Sequence, residues 1–337
     1  MILSTAVGGH AMDISKAVAE PFVQFLDFHD AFNHQFKAGV TAIRHISAEA
    51  AGPNGPAVRT AFLSRMEKNW RDRHDWSSAS AVLDRAAEDA CRLAIVQIHS
   101  ALDDFSTALR AEHSRWCAVA GIAISPRLAI KAPNEEDEPL WKLCQDLGLQ
   151  SANIVAWRPL LALFRVMRNC IAHSSGKASG HLASLASSPA LAQVLQSWPR
   201  RPGSKSPPAP AIFDSQQIRV PPKTVILCLN AAYRVCEYIN EHFRVFLGVQ
   251  GMCYSAAYFC LLNPDRQVLS TSYRTANRAV GHTLSTRYQV TGASQILVSQ
   301  LQALGVWNKC VRRHARLYRN SVEAGLFKPP HGFKMPA

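Results

Sequence analysis

The chain holds nine cysteines, yet none forms a C-x2-C pair and no Cys/His cluster has zinc spacing. A structural zinc module needs such pairs, so that class is excluded. An odd number of dispersed thiols also argues against a secreted disulfide scaffold and fits a reducing cytoplasm. No Walker A loop, Rossmann glycine pattern or H-E-x-x-H helix occurs, which leaves nucleotide hydrolysis and metalloprotease chemistry without support. Met1–His10 has no basic leader and too short an apolar stretch for a signal peptide. Internal repeats are absent. Strand signals are scarce, Gln217–Val220 being the best short candidate.

What is present is helical patterning. At 337 residues, with 48% hydrophobic and 18% charged residues, the chain is globular and long enough for two domains. Residues 12–48 repeat Phe22, Phe25, Leu26, Phe28, Phe32 and Phe36 near helical spacing. Ala51–Pro56 is a turn, and Arg65–Asp75 suggests a solvated helix end. A long helix is expected over 79–112, with Leu83, Ala87, Ala90, Leu93, Val96, Ile98, Leu102, Phe105 and Leu109 as its apolar positions. An acidic loop comes next at Asn134–Glu138, then helices at 140–148 and 153–173. Residues 199–210 form a Pro-rich loop, and helix returns at 222–247. The fold class is therefore mainly α: a helical bundle at 79–247, an N-terminal helical extension at 1–78 and a basic helical region at 248–337.

Val245–Leu262 carries no charge and is long enough to cross a membrane. Gln250, two glycines and two tyrosines interrupt it, which favours a helix buried in a core over stable membrane insertion.

Acidic residues run short late in the chain. Residues 1–200 hold 20 basic and 19 acidic side chains, whereas 201–337 hold 17 and 5. Such a segment attracts polyanions, nucleic acid first and an anionic membrane second. Within it, 291–320 reads as a helix, a turn at Gly305 and a second, basic helix. Lys309, Arg312, Arg313, Arg316 and Arg319 recur there at three- and four-residue steps beside Trp307 and Tyr318. The arrangement suits gripping phosphates, with Lys309, Arg312, Arg313 and Arg316 as substrate-holding candidates, or simply a solvated face.

The most informative segment is Arg165-Val-Met-Arg168-Asn169-Cys-Ile-Ala-His173-Ser-Ser-Gly176. On a helix, Asn169 and His173 share a face and Arg168 flanks Asn169. Cutting RNA without a metal needs a base for the 2′-OH, an acid for the leaving 5′-oxygen and positive charge on the phosphorane. His173 suits either proton transfer and Arg168 the charge. One histidine does not readily do both transfers, which is a physical reason to expect a homodimer with two facing motifs. The plain alternative is a helix C-terminus with basic residues near its carbonyls. Asp103 and Asp104, on the long preceding helix, are auxiliary candidates that would orient Arg168 or His173. His99, Ser174, Ser175, Lys177 and His181 are weaker ones.

The segment resembles the R-polar-x3-H motif of HEPN-domain ribonucleases of toxin–antitoxin and anti-phage systems. The resemblance spans roughly residues 80–245: a long helix, the short helix Leu140–Gly148, the motif helix from Leu160, a variable loop and a closing helix. It implies a HEPN-like bundle and a metal-independent endoribonuclease that needs no cofactor. It implies a cytoplasmic homodimer that cuts RNA, tRNA included, to 2′,3′-cyclic phosphate ends, with Arg168, Asn169 and His173 as motif residues. An antitoxin or regulatory partner would restrain it. The competing reading is a nucleic-acid-binding or regulatory dimer without catalysis, in which the basic C-terminal helices do the work.

Overall fold

The computed structural model describes residues 13–65, 79–122, 139–149, 152–198, 207, 209–290 and 294–327. The acidic loop at Asn134–Glu138, nine of the twelve residues of the Pro-rich loop at 199–210 and all of the charged stretch Arg65–Asp75 but Arg65 lie outside them. Among the described residues the protein is mainly α, with eleven α-helices and no strand. Contacts divide it into two compact units assembled from separated stretches: Met1–Gln24, Phe105–Leu149 and Glu237–Ala337 in unit 1, and Phe25–Asp104 and Gln150–Cys236 in unit 2. The sequence pattern instead divides the chain consecutively, at 78 and 247.

In unit 2, helix α1 (Glu20–Ala51) contributes a ladder of phenylalanines. Phe25, Phe32 and Phe36 are buried, and the rings of Phe28 and Phe32 stack at 5.3 Å. Helix α2 (Gly55–Arg65) comes next. Helix α3 (Ala79–Ala120), in unit 2 as far as Asp104 and in unit 1 beyond it, is longer than the spacing predicts. Its buried stripe runs Leu83, Ala87, Cys91, Ile95, Ile98, Leu102, Phe105 and Leu109, at steps of three and four. Leu93 is 60% exposed, because two positions beyond Cys91 it falls about 200° around the helix. Ser47 Oγ donates to Asp84 Oδ1 at 2.7 Å, tying α1 to α3.

Helix α5 (Ala152–His173) buries Leu160, Leu163, Phe164 and Met167 completely and packs on two short helices, α6 (Gly180–Ala186) and α7 (Pro189–Ser197). The expected variable loop is thus partly helical. Ser179 and Ser188 accept hydrogen bonds from the amides of Leu182 and Leu191, both at 3.2 Å, which caps each helix at its start. The expected strand at Gln217–Val220 is not formed. A single antiparallel bridge joins Lys177 and Gln217, and backbone bonds from Ala178 to Gln216, Ser215 to Ala178 and Ile218 to Gly176 tie the two segments together.

Unit 1 contains α4 (Pro139–Asp146), the later part of α8 (Pro222–Ala257), a π-helical turn at Tyr258–Leu262, and helices α9 (Ala276–Tyr288), α10 (Ser294–Ala303) and α11 (Trp307–Glu323). Helix α8 kinks at Gly248, whose φ of 57° and ψ of −172° suit a residue without a side chain. Pro222–Leu262 is long and apolar enough to cross a membrane, and 56% of its most apolar window is buried. From Gly251 to Ala257 every residue is buried, while Val245 is 72% exposed.

The same unit holds a polar knot that no sequence motif announces. Glu112 on α3 is almost fully enclosed. Its carboxylate accepts from Ser255 on α8, from Tyr288 on α9 and, at 3.0 Å, from Arg287 Nη2. Arg287 also pairs with Glu20 of α1, and its guanidinium lies 3.5 Å from the Phe259 ring centroid. Burial pushes the Glu112 carboxyl up, against the downward pull of Arg287 and the Ser255 bond.

Candidate functional site

Arg168 sits in the last two turns of α5, half-buried, and faces α3. Its Nη1 donates to Asn169 Oδ1 at 2.9 Å, and its Nη2 lies 3.7 Å from Asp103 Oδ2. Its Nε is buried with no hydrogen-bond partner. The guanidinium is therefore oriented from two sides while part of its donor capacity stays unused. One turn before Asp103, on the same face of α3, stands His99, buried at 3% exposure. Burial pushes the His99 imidazole down to about 3, helped by the charges of Arg168 and Arg165. At neutral pH it is an uncharged ring beside two arginines. Asp103 is shifted upward despite Arg168: burial dominates, Arg168 and Arg165 oppose it, and Asp104 adds a small upward push. The 3.7 Å gap explains this order, since a loose pair does not offset desolvation. Asp104 itself is exposed.

His173 is the last residue of α5 and is exposed. Arg168 and His173, five positions apart, lie about 140° apart around an ideal helix. The structure thus gathers Arg168, Asn169, Asp103, His99 and Arg165, and leaves His173 at the solvent end of the helix. The turn just after His173 is tightly held. Ser175 and Gly176 adopt positive φ values of 52° and 76°. The amides of Ser174 and Gly176 both donate to the Cys170 carbonyl, at 3.0 and 3.1 Å. Gln217 Nε2 donates to the Ser175 carbonyl at 3.2 Å and the Ile218 amide to the Gly176 carbonyl at 2.8 Å. Arg92 of α3 reaches the Ile218 carbonyl at 3.4 Å. The stretch with the strand-like pattern is the clamp on the motif's exit turn. Ser174, Lys177 and His181 are exposed around it.

The basic helix α11 forms where the sequence places it. Cys310, His314, Leu317, Tyr318 and Ser321 are its buried face, while Lys309, Arg312 and Arg316 are exposed. These three cations fall within about 60° of one another around the helix. Arg313 has a different task. Its Nε donates to the Leu261 carbonyl at 3.3 Å, and its Nη2 to those of Pro264 and Arg266 at 3.2 and 2.7 Å. It staples the end of the π turn, so it is committed to the fold. Trp307 and Arg319 are half-buried.

Among the described residues, no three His, Cys, Asp or Glu side chains group as metal ligands would. All nine cysteines are buried, and none is in a disulfide. Burial pushes the Cys253 and Cys310 thiols up to about 12, so neither supplies a thiolate. Comparison with protein-family models, with curated proteins and with solved structures finds no match to this chain.

Proposed function

We propose that this chain is a metal-independent endoribonuclease of HEPN type that acts as a homodimer. The observation that carries the reading is the state of Arg168. It is a half-buried arginine aimed by Asn169 and Asp103, with spare donors, little more than one turn before an exposed histidine. A guanidinium held this way is prepared to bind a phosphate and to stabilise the charge of a phosphorane. His173 takes the proton of the 2′-OH, or gives one to the 5′-oxygen. The 2′-oxygen attacks phosphorus, the P–O5′ bond breaks, and the products are a 2′,3′-cyclic phosphate and a 5′-hydroxyl. Because Arg168 and His173 diverge around one helix, a second copy of the chain supplies the facing motif and the second proton-transfer group. A chain of this activity fits a toxin or an anti-phage effector cutting cellular or phage RNA, held in check by an antitoxin or regulatory partner.

Incubating total cellular RNA with the purified chain in EDTA tests this. Wild type should cleave and leave cyclic phosphate ends. His173→Ala should lose about 10²- to 10⁴-fold in rate, the usual contribution of a proton-transfer group, and Arg168→Ala should lose activity comparably. Equal cleavage by all three proteins defeats the proposal.

A binding function without catalysis is the second reading, favoured by the exposed face of Lys309, Arg312 and Arg316. If these side chains grip phosphates, replacing all three with alanine should lower the log–log salt slope of RNA binding by about 2. An unchanged slope removes α11 from the interface.

A further inference from the structure

We infer that unit 1 carries a binding cleft for a nucleoside phosphate, formed by the loop Ser270–Arg274 and the face of α11. The inference does not rest on the endoribonuclease reading, whose motif belongs to unit 2.

The loop that leads from the π turn to α9 is fastened along its length. Besides the three Arg313 bonds, Asn320 Nδ2 donates to the Gln267 carbonyl at 2.9 Å and Ser321 Oγ accepts from the Leu269 amide at 2.8 Å. His314 Nε2 lies 2.9 Å from the Tyr273 carbonyl and donates to it. Burial lowers the His314 pKa, and the Tyr273 bond only partly opposes that. A loop fixed this thoroughly is a preorganised wall and does not need ordering when a ligand arrives.

Behind that wall lies a cavity of about 750 Å³, and a second of about 400 Å³ shares Arg274 and Tyr318 with it. The larger volume falls within the range of small-molecule sites, roughly 300–1,000 Å³. Two aromatic pairs border it: Tyr273 with His282, ring centroids 5.2 Å apart, and Tyr318 with Phe327, 6.0 Å apart. Such faces accept a planar ring. Ser270, Thr271 and Ser272 add a run of hydroxyls, and Arg274 is exposed beside them. Thr271 lines the larger cavity and Asn277 the smaller, and Thr271 Oγ1 and Asn277 Oδ1 are each buried without a hydrogen-bond partner. Buried polar atoms are rarely left so, and both belong to residues on the cavity walls. No carboxylate lines either cavity among the described residues, so the polar lining favours an anion. A planar ring, a hydroxyl-rich sugar and a phosphate match the stacking faces, the run of hydroxyl side chains and Arg274 together.

Isothermal titration of the full chain with AMP, inorganic phosphate and a 5′-phosphorylated RNA trinucleotide tests the cleft. Arg274→Ala and Thr271→Val serve as variants, each first shown to melt like wild type. AMP should bind with a Kd below about 1 mM, Arg274→Ala should weaken it by at least about tenfold, and Thr271→Val should weaken it less. AMP binding without trinucleotide binding identifies a free nucleotide as the ligand. Trinucleotide binding that AMP displaces identifies an RNA end. The inference is overturned if neither probe saturates wild type, if phosphate alone binds as tightly as AMP, or if both variants match wild type.

Discussion

The two arginine–carboxylate pairs, Glu112–Arg287 in unit 1 and Asp103–Arg168 in unit 2, share chemistry but differ in surroundings. Glu112 and Arg287 meet at 3.0 Å with side chains 1% and 10% exposed. Every oxygen of Glu112 is engaged, and the pair links α1, α3, α8 and α9. Asp103 and Arg168 stand 3.7 Å apart with 36% and 30% exposure, and Arg168 Nε has no partner. A closed, dry pair is a fastener. A loose pair open to water can exchange its partner for a ligand. Enclosure and unused donors, more than residue type, separate a structural ion pair from a candidate site.

The sharpest way to break the comparison is to delete each carboxylate. Glu112→Ala leaves buried Arg287 with Glu20 alone and takes the acceptor away from Ser255 and Tyr288, and should cost about 3–5 kcal/mol in chemical denaturation. A loss below about 1 kcal/mol would mean that the knot is not the fastener its geometry describes.

The next effect concerns pH. His99 is neutral in the folded protein with a pKa near 3, against 6.5 for the unperturbed group. The unfolded chain therefore takes up this proton first. Stability from this site is fully present above pH 6.5 and drains as pH falls toward 3, by about 1.4 kcal/mol per unit. Subtracting the pH profile of His99→Gln from that of wild type isolates this slope. A flat difference between pH 6.5 and 4.5 would mean that His99 is not held neutral.

The exit turn comes third. Gly176 has φ of 76°, and an added Cβ would meet Gln217 Nε2 at 2.5 Å. The Gln217 end is flexible and can swing away, so backbone strain dominates and Gly176→Ala should cost about 1–2 kcal/mol. Because Gln217 then releases Ser175, the same variant should also cut RNA more slowly. Full activity together with full stability would show that the clamp does not position His173.

Much of this arrangement is legible in the sequence, but unevenly. Amphipathic helices stand out: α5, α10, α11 and the short α4 lie close to where apolar spacing puts them, and α3 starts where expected and runs past 112 to Ala120. The short helices α6 and α7 escape a periodicity reading because one or two buried turns give little signal, although Ser188-Pro189 is a usable start mark. Helix α9, capped by Thr275, is longer and escapes because small and polar residues make up much of it, leaving a weak apolar pattern. The Glu112 knot is invisible, since its partners lie 143 to 176 residues away and a lone glutamate on a helix reads as solvated. Arg313 reads as one of several phosphate-binding cations, and only the position of three carbonyls separates it from Arg312. Arg168 and Asp103 both stand out in the sequence, and the structure pairs them.

That pairing supports the smallest predicted change and the most discriminating one. Asp103→Asn keeps the side-chain shape and removes one charge from a pair that is one-third exposed. Solvent already screens such a pair, so stability should move by less than about 1 kcal/mol. The guanidinium of Arg168, though, loses one of its two anchors and keeps Asn169 alone. Under the proposed activity, kcat for RNA cleavage should fall about tenfold, equal to ~1.4 kcal/mol of barrier. KM should barely move, because Arg168 acts on the charge that develops in the transition state. Parallel losses in stability and rate would instead make Asp103 a second fastener like Glu112, and the contrast between the two pairs would fail.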